Sequence, residues 1–373
     1  MGVPMPGVPM LLDDRERFIE LPQRWLLELA ILNGRTRSPA TWRSYAEALY
    51  DWLRTCEANG WVWQDASETH LATYRNHMLA SKTAFGRPHS QATINGRLRR
   101  LIYFYRWAAR NDLLLDRTFS NESVLVSRDA RWELLGHLGV REERDVPRIL
   151  LREYHRQPRG FARGEIVAVR SELTNVRDQL IMDWGLYTGA RLAEIHGLTL
   201  DRVPHVRPGF ASSFVQIDLQ LTKGRRRRWL WVPLELVDRT WRYIERDRRH
   251  LLRNGERRPE VWIGRWGRPL TRGSIQAIFR HACLRAGVDG HFHMLRHTYA
   301  IVMLRILSYV NRERGIAGST NALKALQILL GHASLASTAI YLQSLEVDEP
   351  TMGSAMDALG DLLSPGRYPQ VAI

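Results

Sequence analysis

Residues 329–343 read LLGHASLASTAIYLQ. Leu323, Leu326 and Leu330 recur at the spacing of one helix face, and Gly331 stands where such a helix closes, since glycine enters the left-handed region without steric cost. A second helix restarts beyond Ser334. On one continuous helix His332 and Tyr341 would point in roughly opposite directions, because each residue turns the chain by about 100°. The break from Gly331 to Ser334 removes that objection and lets the two side chains converge. A tyrosine on a helix is ordinarily packing, so its reactivity depends on what the rest of the chain brings to it.

Three upstream stretches supply candidates. In HFHMLRHTYAIVMLRIL, from residue 291, Leu295, Tyr299, Val302 and Ile306 mark a buried helix face, and His293 and Arg296 project together from a neighbouring one. His293 and His297 have zinc spacing, but Met294, Leu295 and Arg296 between them lack the glutamate of a metalloprotease helix, and an arginine beside a metal is repulsive. No metal is expected. In NVRDQLIMDWGLYTGARLAEIHGLTLDRV, from residue 175, a helix bearing Val176, Leu180, Trp184 and Tyr187 should stop near Gly189. Arg191 then falls in the first turn of the next helix, where unpaired N–H groups favour an anion. Glu194, on the same side, is placed to orient that guanidinium. In VQIDLQLTKGRRRRWLWVPL, from residue 215, Val215, Ile217, Leu219 and Leu221 alternate with polar residues as a strand does. Lys223-Gly224 marks a hairpin tip, and Arg225, Arg226, Arg227 and Arg228 read as a phosphate-tracking patch.

These pieces in this order, TGARLAE, LTKGRRRR, HFHMLRH, LLGH and AIYLQ, resemble the catalytic domain of the tyrosine recombinases, the phage integrase family. The resemblance covers about residues 165 to 345 and carries over Arg191, Lys223, His293, Arg296, His332 and the nucleophile Tyr341, with Glu194 as a supporting residue. It implies a site-specific DNA recombinase or integrase that cleaves and rejoins strands through a 3′-phosphotyrosyl intermediate, needing neither metal, ATP nor another cofactor. Its implied partners are double-stranded DNA with inverted-repeat half-sites and a homo-tetramer on two duplexes; an accessory directionality factor stays open. Alternatives are a catalytically inactive architectural DNA binder and a type IB topoisomerase-like or telomere-resolving enzyme. Two segments depart from the pattern, HVRPGFASS after Arg191 and RERGIAGSTN after Arg296, and both are expected to lengthen loops.

The chemistry accounts for the residue types. A free tyrosine has a pKa of about 10, so its anion costs on the order of 4 kcal/mol at pH 7. A phosphodiester is itself anionic. Arg191 and Arg296 address both problems by clamping the non-bridging oxygens and favouring phenolate nearby. Lys223 would protonate the leaving oxygen, His293 assist proton transfer at the tyrosine, and His332 donate a hydrogen bond to the phosphate.

Bulk composition agrees. The 373 residues predict two domains, and a formal charge of +15, from 54 Lys and Arg against 39 Asp and Glu, predicts a long anionic partner. No stretch has the length of a membrane span. Cys56 and Cys283, without metal spacing, suit a reducing compartment, so a cytoplasmic, nucleoid-associated protein is expected. The fold class expected is mainly α: a helical N-terminal DNA-binding domain plus a mostly helical catalytic domain with a small antiparallel sheet. The boundaries expected are a flexible arm over 1–16, a helical core-binding domain over 17–115, a linker with some helical content over 116–157, the catalytic domain over 158–350 and a tail over 351–373. In the helix of residues 92–114, Ile94, Leu98, Leu101, Ile102 and Tyr105 should pack. Arg97, Arg99 and Arg100, with few acidic residues in the same helix, are expected to contact phosphates. The tail segment SAMDALGDLL is a candidate for docking on a neighbouring protomer, with packing on its own domain as the alternative.

Overall fold

The computed structural model describes the chain except for residues 1–5, 33–37, 84–85, 87, 116–118, 128–140, 154–157, 206–211, 220–227, 253–255, 315–320, 333–334 and 343–373. It divides into two compact units, Met1–His155 and Arg156–Ile373.

The first unit is built on four helices, α1 (Glu20–Ile31), α2 (Pro39–Ala58), α3 (Glu68–Ala80) and α4 (Gln91–Arg110). Pro39 opens α2 at a position where its missing N–H costs nothing. Ser90 caps α4 by accepting the Thr93 N–H at 3.1 Å. All five α4 residues expected to pack are buried, against Trp25, Leu49, Trp52 and Leu71 from the other helices. The Trp52 indole donates to the Tyr105 hydroxyl at 2.8 Å, which satisfies a polar group inside this core.

Two stretches differ from the sequence expectation. The arm over 1–16 is anchored toward its end: Leu11 is buried and its N–H donates to Gln23 Oε1 at 2.9 Å. The stretch read as a partly helical linker carries an antiparallel ladder, β1 (Asn121–Ser127) with β2 (Arg141–Pro147), in register Asn121↔Pro147. Its Ser-Val-Leu-Val run favours extended backbone, a local preference that outweighs the surrounding charge. Phe119 and Ile149, flanking the ladder, join the first unit's core.

The second unit runs α5 (Arg163–Ser171), α6 (Val176–Thr188), α7 (Leu192–His196), β3 (Phe214–Leu219), β4 (Arg228–Pro233) and α8 (Leu234–Tyr243). A π turn over Ile244–Arg248 leads into α9 (Arg249–Leu251), followed by α10 (Arg272–Arg285), α11 (His293–Arg314), α12 (Ala322–Leu330) and α13 (Ala336–Ala339). The fold is therefore mainly helical with small antiparallel sheets. β3 and β4 pair in register Val215↔Val232, and Val215, Ile217 and Leu219 turn inward as the alternation predicts. No helix among the described residues is long and apolar enough to cross a membrane.

Helix α6 lies at the centre, with Leu180, Ile181 and Trp184 buried and the Trp184 indole donating to Thr240 Oγ1 at 3.0 Å. It touches α11 closely: a Cβ built on Gly185 would sit 3.0 Å from Leu295 Cδ1. The apolar faces assigned from spacing shift here. Val176, Tyr187, Val302 and Ile306 are exposed, whereas Ala300 and Leu304 are buried beside Leu295 and Tyr299. Ala300 was passed over because small residues contribute little to an apolar pattern, yet in a close-packed interior they fill the gaps that larger side chains cannot.

Candidate active site

The site forms where three helix ends meet. Gly189 closes α6 in the left-handed conformation, φ 61°, and a Cβ there would lie 2.3 Å from the Tyr299 ring, so any other residue is both strained and blocked. Gly331 closes α12 in the same way, at φ 62°. The carbonyls freed at these two ends carry the negative pole of each helix and hold arginines. Arg296, 2% exposed, donates from Nη1 to Gly189 O at 2.5 Å and from Nη2 to Leu330 O at 2.6 Å. Arg191, the residue capping α7, donates from Nη2 to Gly331 O at 3.1 Å. Two residues 105 positions apart are thus brought together, because each is tied to the other's half of the unit.

Glu194 lies between them. It accepts the Arg191 backbone N–H at 2.7 Å and Arg191 Nη1 at 3.0 Å. Its carboxylate also accepts Arg228 Nη1, at 3.2 Å on Oε1 and 3.0 Å on Oε2. Arg228 therefore needs correcting: it does not belong to a surface patch but is 5% exposed inside the unit. The signal was present in the strand itself. In β4, Arg228 shares its inward face with Leu230 and Val232, opposite Leu219, and only the expectation that arginine runs are solvated hid this. Lys223, Arg225, Arg226 and Arg227 lie outside the described residues.

Two guanidinium groups thus share one carboxylate, with a third, that of Arg296, beside them on backbone carbonyls. Burial, then Arg191 and Arg228, lower the Arg296 pKa to about 9. Burial also lowers that of Arg228, against the pull of Glu194. Arg228 Nε and Nη2 are buried without a hydrogen-bond partner among the described residues. A group of cations that depress one another is stabilised by an arriving anion, which is what an oxyanion or phosphate site requires.

The break at Gly331 does bring His332 and Tyr341 together: their rings are parallel within 10° at 6.5 Å. His332 Nδ1 is 2.9 Å from Thr338 Oγ1 in the short α13. Burial first, then Arg296, Arg191 and Arg228, push His332 down to about 3, so its imidazole is neutral near pH 7. Tyr341 is 1% exposed, with Leu326, Leu330, Tyr299 and Leu304 in the surrounding cluster. Burial raises its phenol pKa, and Arg296 opposes that rise. The hydroxyl is therefore covered by protein, yet it lies within electrostatic reach of Arg296.

Sequence reasoning paired His293 with the tyrosine. The phenol oxygen instead sits 2.9 Å from Nδ1 of His297, while His293 is exposed and packs its ring edge-on to His297 at 4.7 Å. His297 was set aside once its zinc spacing had been rejected.

The arginines of α4 are placed differently. Arg97 is paired with Asp51 on α2, and Arg99 with Glu153 at 2.8 Å. Arg100 lies over the Tyr45 ring at 5.7 Å. For Arg97 and Arg99 the carboxylates missing from their own helix come from elsewhere in the unit.

Residues 165–347 match the phage integrase family. Tyrosine recombinase XerC of Alcanivorax borkumensis is 32% identical over 176 residues, 46% of this chain and 49% of that protein, so the chain spans about half the length of that relative. XerC of Lactobacillus delbrueckii subsp. bulgaricus is 26% identical over 326 residues, 83% of this chain and 90% of that protein. Among solved structures, XerH site-specific recombinase in a post-cleavage complex with its palindromic difH substrate superposes with a TM-score of 0.57 at 16% identity, over 94% of this chain and 90% of that one. At that identity the likeness concerns fold alone. The order of motifs and the matched region agree, and residues 165–347 belong to the phage integrase family, the tyrosine recombinases.

Proposed function

We propose that this protein is a tyrosine-type site-specific DNA recombinase that cleaves and rejoins strands through a 3′-phosphotyrosyl intermediate. One observation carries the reading: Arg191 and Arg228 converge on the single carboxylate of Glu194 beside Arg296, and the Arg296 guanidinium acts directly on the Tyr341 phenol. Arg191 and Arg296 clamp the scissile phosphate. Tyr341 attacks phosphorus, and Lys223 protonates the departing O5′, which leaves as a 5′-hydroxyl. His332 donates to a non-bridging oxygen, and His293, exposed beside the clamp, contacts the same phosphate. Bond energy is kept in the adduct, so rejoining needs no external energy source.

Assembly follows from the same reading. The second unit, with the helical first unit, grips one inverted-repeat half-site, and four protomers act on two duplexes in the cytoplasm. The relatives named Tyrosine recombinase XerC, and the difH complex of XerH, support DNA as the substrate class.

The test is covalent capture from a pool of nicked duplexes with randomised half-sites, in which the 5′-hydroxyl fragment diffuses away and the adduct accumulates. The wild type is expected to form an adduct that survives denaturation, and sequencing the trapped DNA yields its site. Tyr341→Phe is expected to form none while retaining DNA affinity. A Tyr341→Phe protein that traps DNA as the wild type does would remove the assignment. Strand exchange between two marked duplexes then separates recombination from simple religation.

A further inference from the structure

We propose that His297, rather than His293, takes the phenolic proton of Tyr341 as its oxygen attacks phosphorus; this deepens the recombinase reading and rests on it. Four observations support the assignment. The Tyr341 oxygen is 2.9 Å from His297 Nδ1, within the reach a general base needs before any movement. The two rings lie 5.8 Å apart at 54°, so the nitrogen meets the hydroxyl at the ring's edge, where its lone pair projects. His297 follows Arg296 directly on α11, so the proton acceptor and a guanidinium of the phosphate clamp move as parts of one helix. His293 is one turn earlier and exposed; its described ring contact is with His297, edge-on at 4.7 Å.

Protonation favours the same assignment. Burial first, then His293, His291 and Arg296, push His297 down to about 4, which keeps the ring neutral near pH 7. A neutral imidazole with its hydrogen on Nε2 presents a lone pair at Nδ1, and the phenol donates to it. In the step itself the bond from Tyr341 Oη to phosphorus forms and the bond from phosphorus to O5′ breaks. The phenolic proton passes to Nδ1, and O5′ takes a proton from a protonated amine or from water. Nothing is oxidised or reduced. In rejoining, the imidazolium returns its proton to the departing phenolate. The negative phosphate between Arg191 and Arg296 offsets the cations that disfavour protonated His297, so the histidine becomes a better base when substrate is present.

The experiment uses the full-length protein and the nicked duplex recovered by covalent capture. The duplex is made with ordinary oxygen or with sulfur at the 5′-bridging position of the scissile phosphate. A thiolate leaves without a proton donor, so sulfur bypasses the leaving-group acid and leaves the need for a base. His297→Ala is expected to slow adduct formation about 100-fold or more on both duplexes. His297→Asn, whose side-chain oxygen accepts a hydrogen bond near the Nδ1 position without holding a proton, is expected to fold and bind DNA as the wild type does. Its adduct formation should be equally slow on both duplexes.

Wild-type rates in His297→Ala, full activity in His297→Asn, or recovery of either variant on the sulfur duplex would each overturn the assignment. An active wild type with an unimpaired His297→Ala refutes this inference alone. A wild type that forms no adduct with any duplex refutes the recombinase reading beneath it.

Discussion

Two groups of arginines in this chain look alike in sequence and differ in physical state. On α4, the Arg97 and Arg99 side chains keep 28% and 55% of their exposure and each has a carboxylate within the first unit. In the second unit, Arg191, Arg228 and Arg296 come from α7, β4 and α11 and lie at or below the surface; Arg191 and Arg228 divide the one carboxylate of Glu194, and Arg296 has only backbone carbonyls among its described hydrogen-bond partners. Exposed pairs in high dielectric contribute about 0–1 kcal/mol each. Cations withdrawn from water interact far more strongly, and an excess of them creates a demand for an anion. Local density of basic residues therefore says little about where phosphate binds; burial and compensation decide it.

The contrast breaks most visibly at Arg296. Arg296→Ala removes a phosphate contact that strengthens in the transition state and strands the carbonyls of Gly189 and Leu330. Adduct formation should fall by about 10²–10³-fold, and unfolding should cost about 1–3 kcal/mol less for each carbonyl left dry. Single-turnover cleavage and thermal unfolding check the two parts separately. If Arg296→Ala loses no more than Arg99→Ala, burial is not what distinguishes the groups.

Arg228 sharpens the point because it is proposed to touch no substrate. Arg228→Ala breaks a buried pair, which costs about 3–5 kcal/mol where an uncompensated charge remains and less here because Arg191 still neutralises Glu194. Stability should therefore fall clearly, while cleavage per folded molecule drops less than in Arg296→Ala. Gly331→Ala probes the same spot from the other side. Its Cβ would lie 2.6 Å from Arg228 Cδ at a positive φ, where a side chain costs about 1–2 kcal/mol before any clash. Its melting temperature should fall with that of Arg228→Ala, and the double variant should lose less than the sum, since both act through one contact.

How much of this was legible beforehand depended on the range over which each feature is determined. The helix stops at Gly189 and Gly331, the β3 alternation and the α4 core face are local patterns, and the chain carries them openly. The meeting of Arg191 with Arg296 was legible through family resemblance, since no local rule joins residues so far apart. What escaped was set by tertiary placement. Glu153 reaches Arg99 from 54 positions away, and Arg228 faces inward although the three residues before it are all arginine. The phenol chose His297 over His293, a difference of one helical turn that depends on how the segment after Gly331 folds back. Lys223 and the tail segment SAMDALGDLL lie outside the described residues.

The half-buried histidines make a smaller, pH-dependent signature. His332 and His297 lie at about 3 and about 4 in the folded protein, against 6.5 when free. The unfolded chain therefore binds more protons between these values, and stability rises with pH across that interval. The contribution is fully present above about 6.5 and is lost as pH falls toward the folded values. Melting temperature should decline from pH 7 to pH 4, and His332→Gln should flatten that decline.

The smallest effects belong to α4 itself, and they test whether pairing removes an arginine from DNA binding. A side chain that neutralises a phosphate releases counterions, and its loss lowers the slope of log affinity against log salt by about 0.9. Arg99, held by Glu153, should behave as a structural residue: Arg99→Ala should change the salt slope by much less than that and cost about 0–1 kcal/mol of stability. Arg100, whose described contact is the Tyr45 ring, is the member of the row best able to turn toward a phosphate, and Arg100→Ala should produce the larger change in slope. Equal slopes for the two variants would mean that the Glu153 pair opens on DNA at little cost. The exposed and buried arginines would then differ in strength of compensation but not in availability to the substrate.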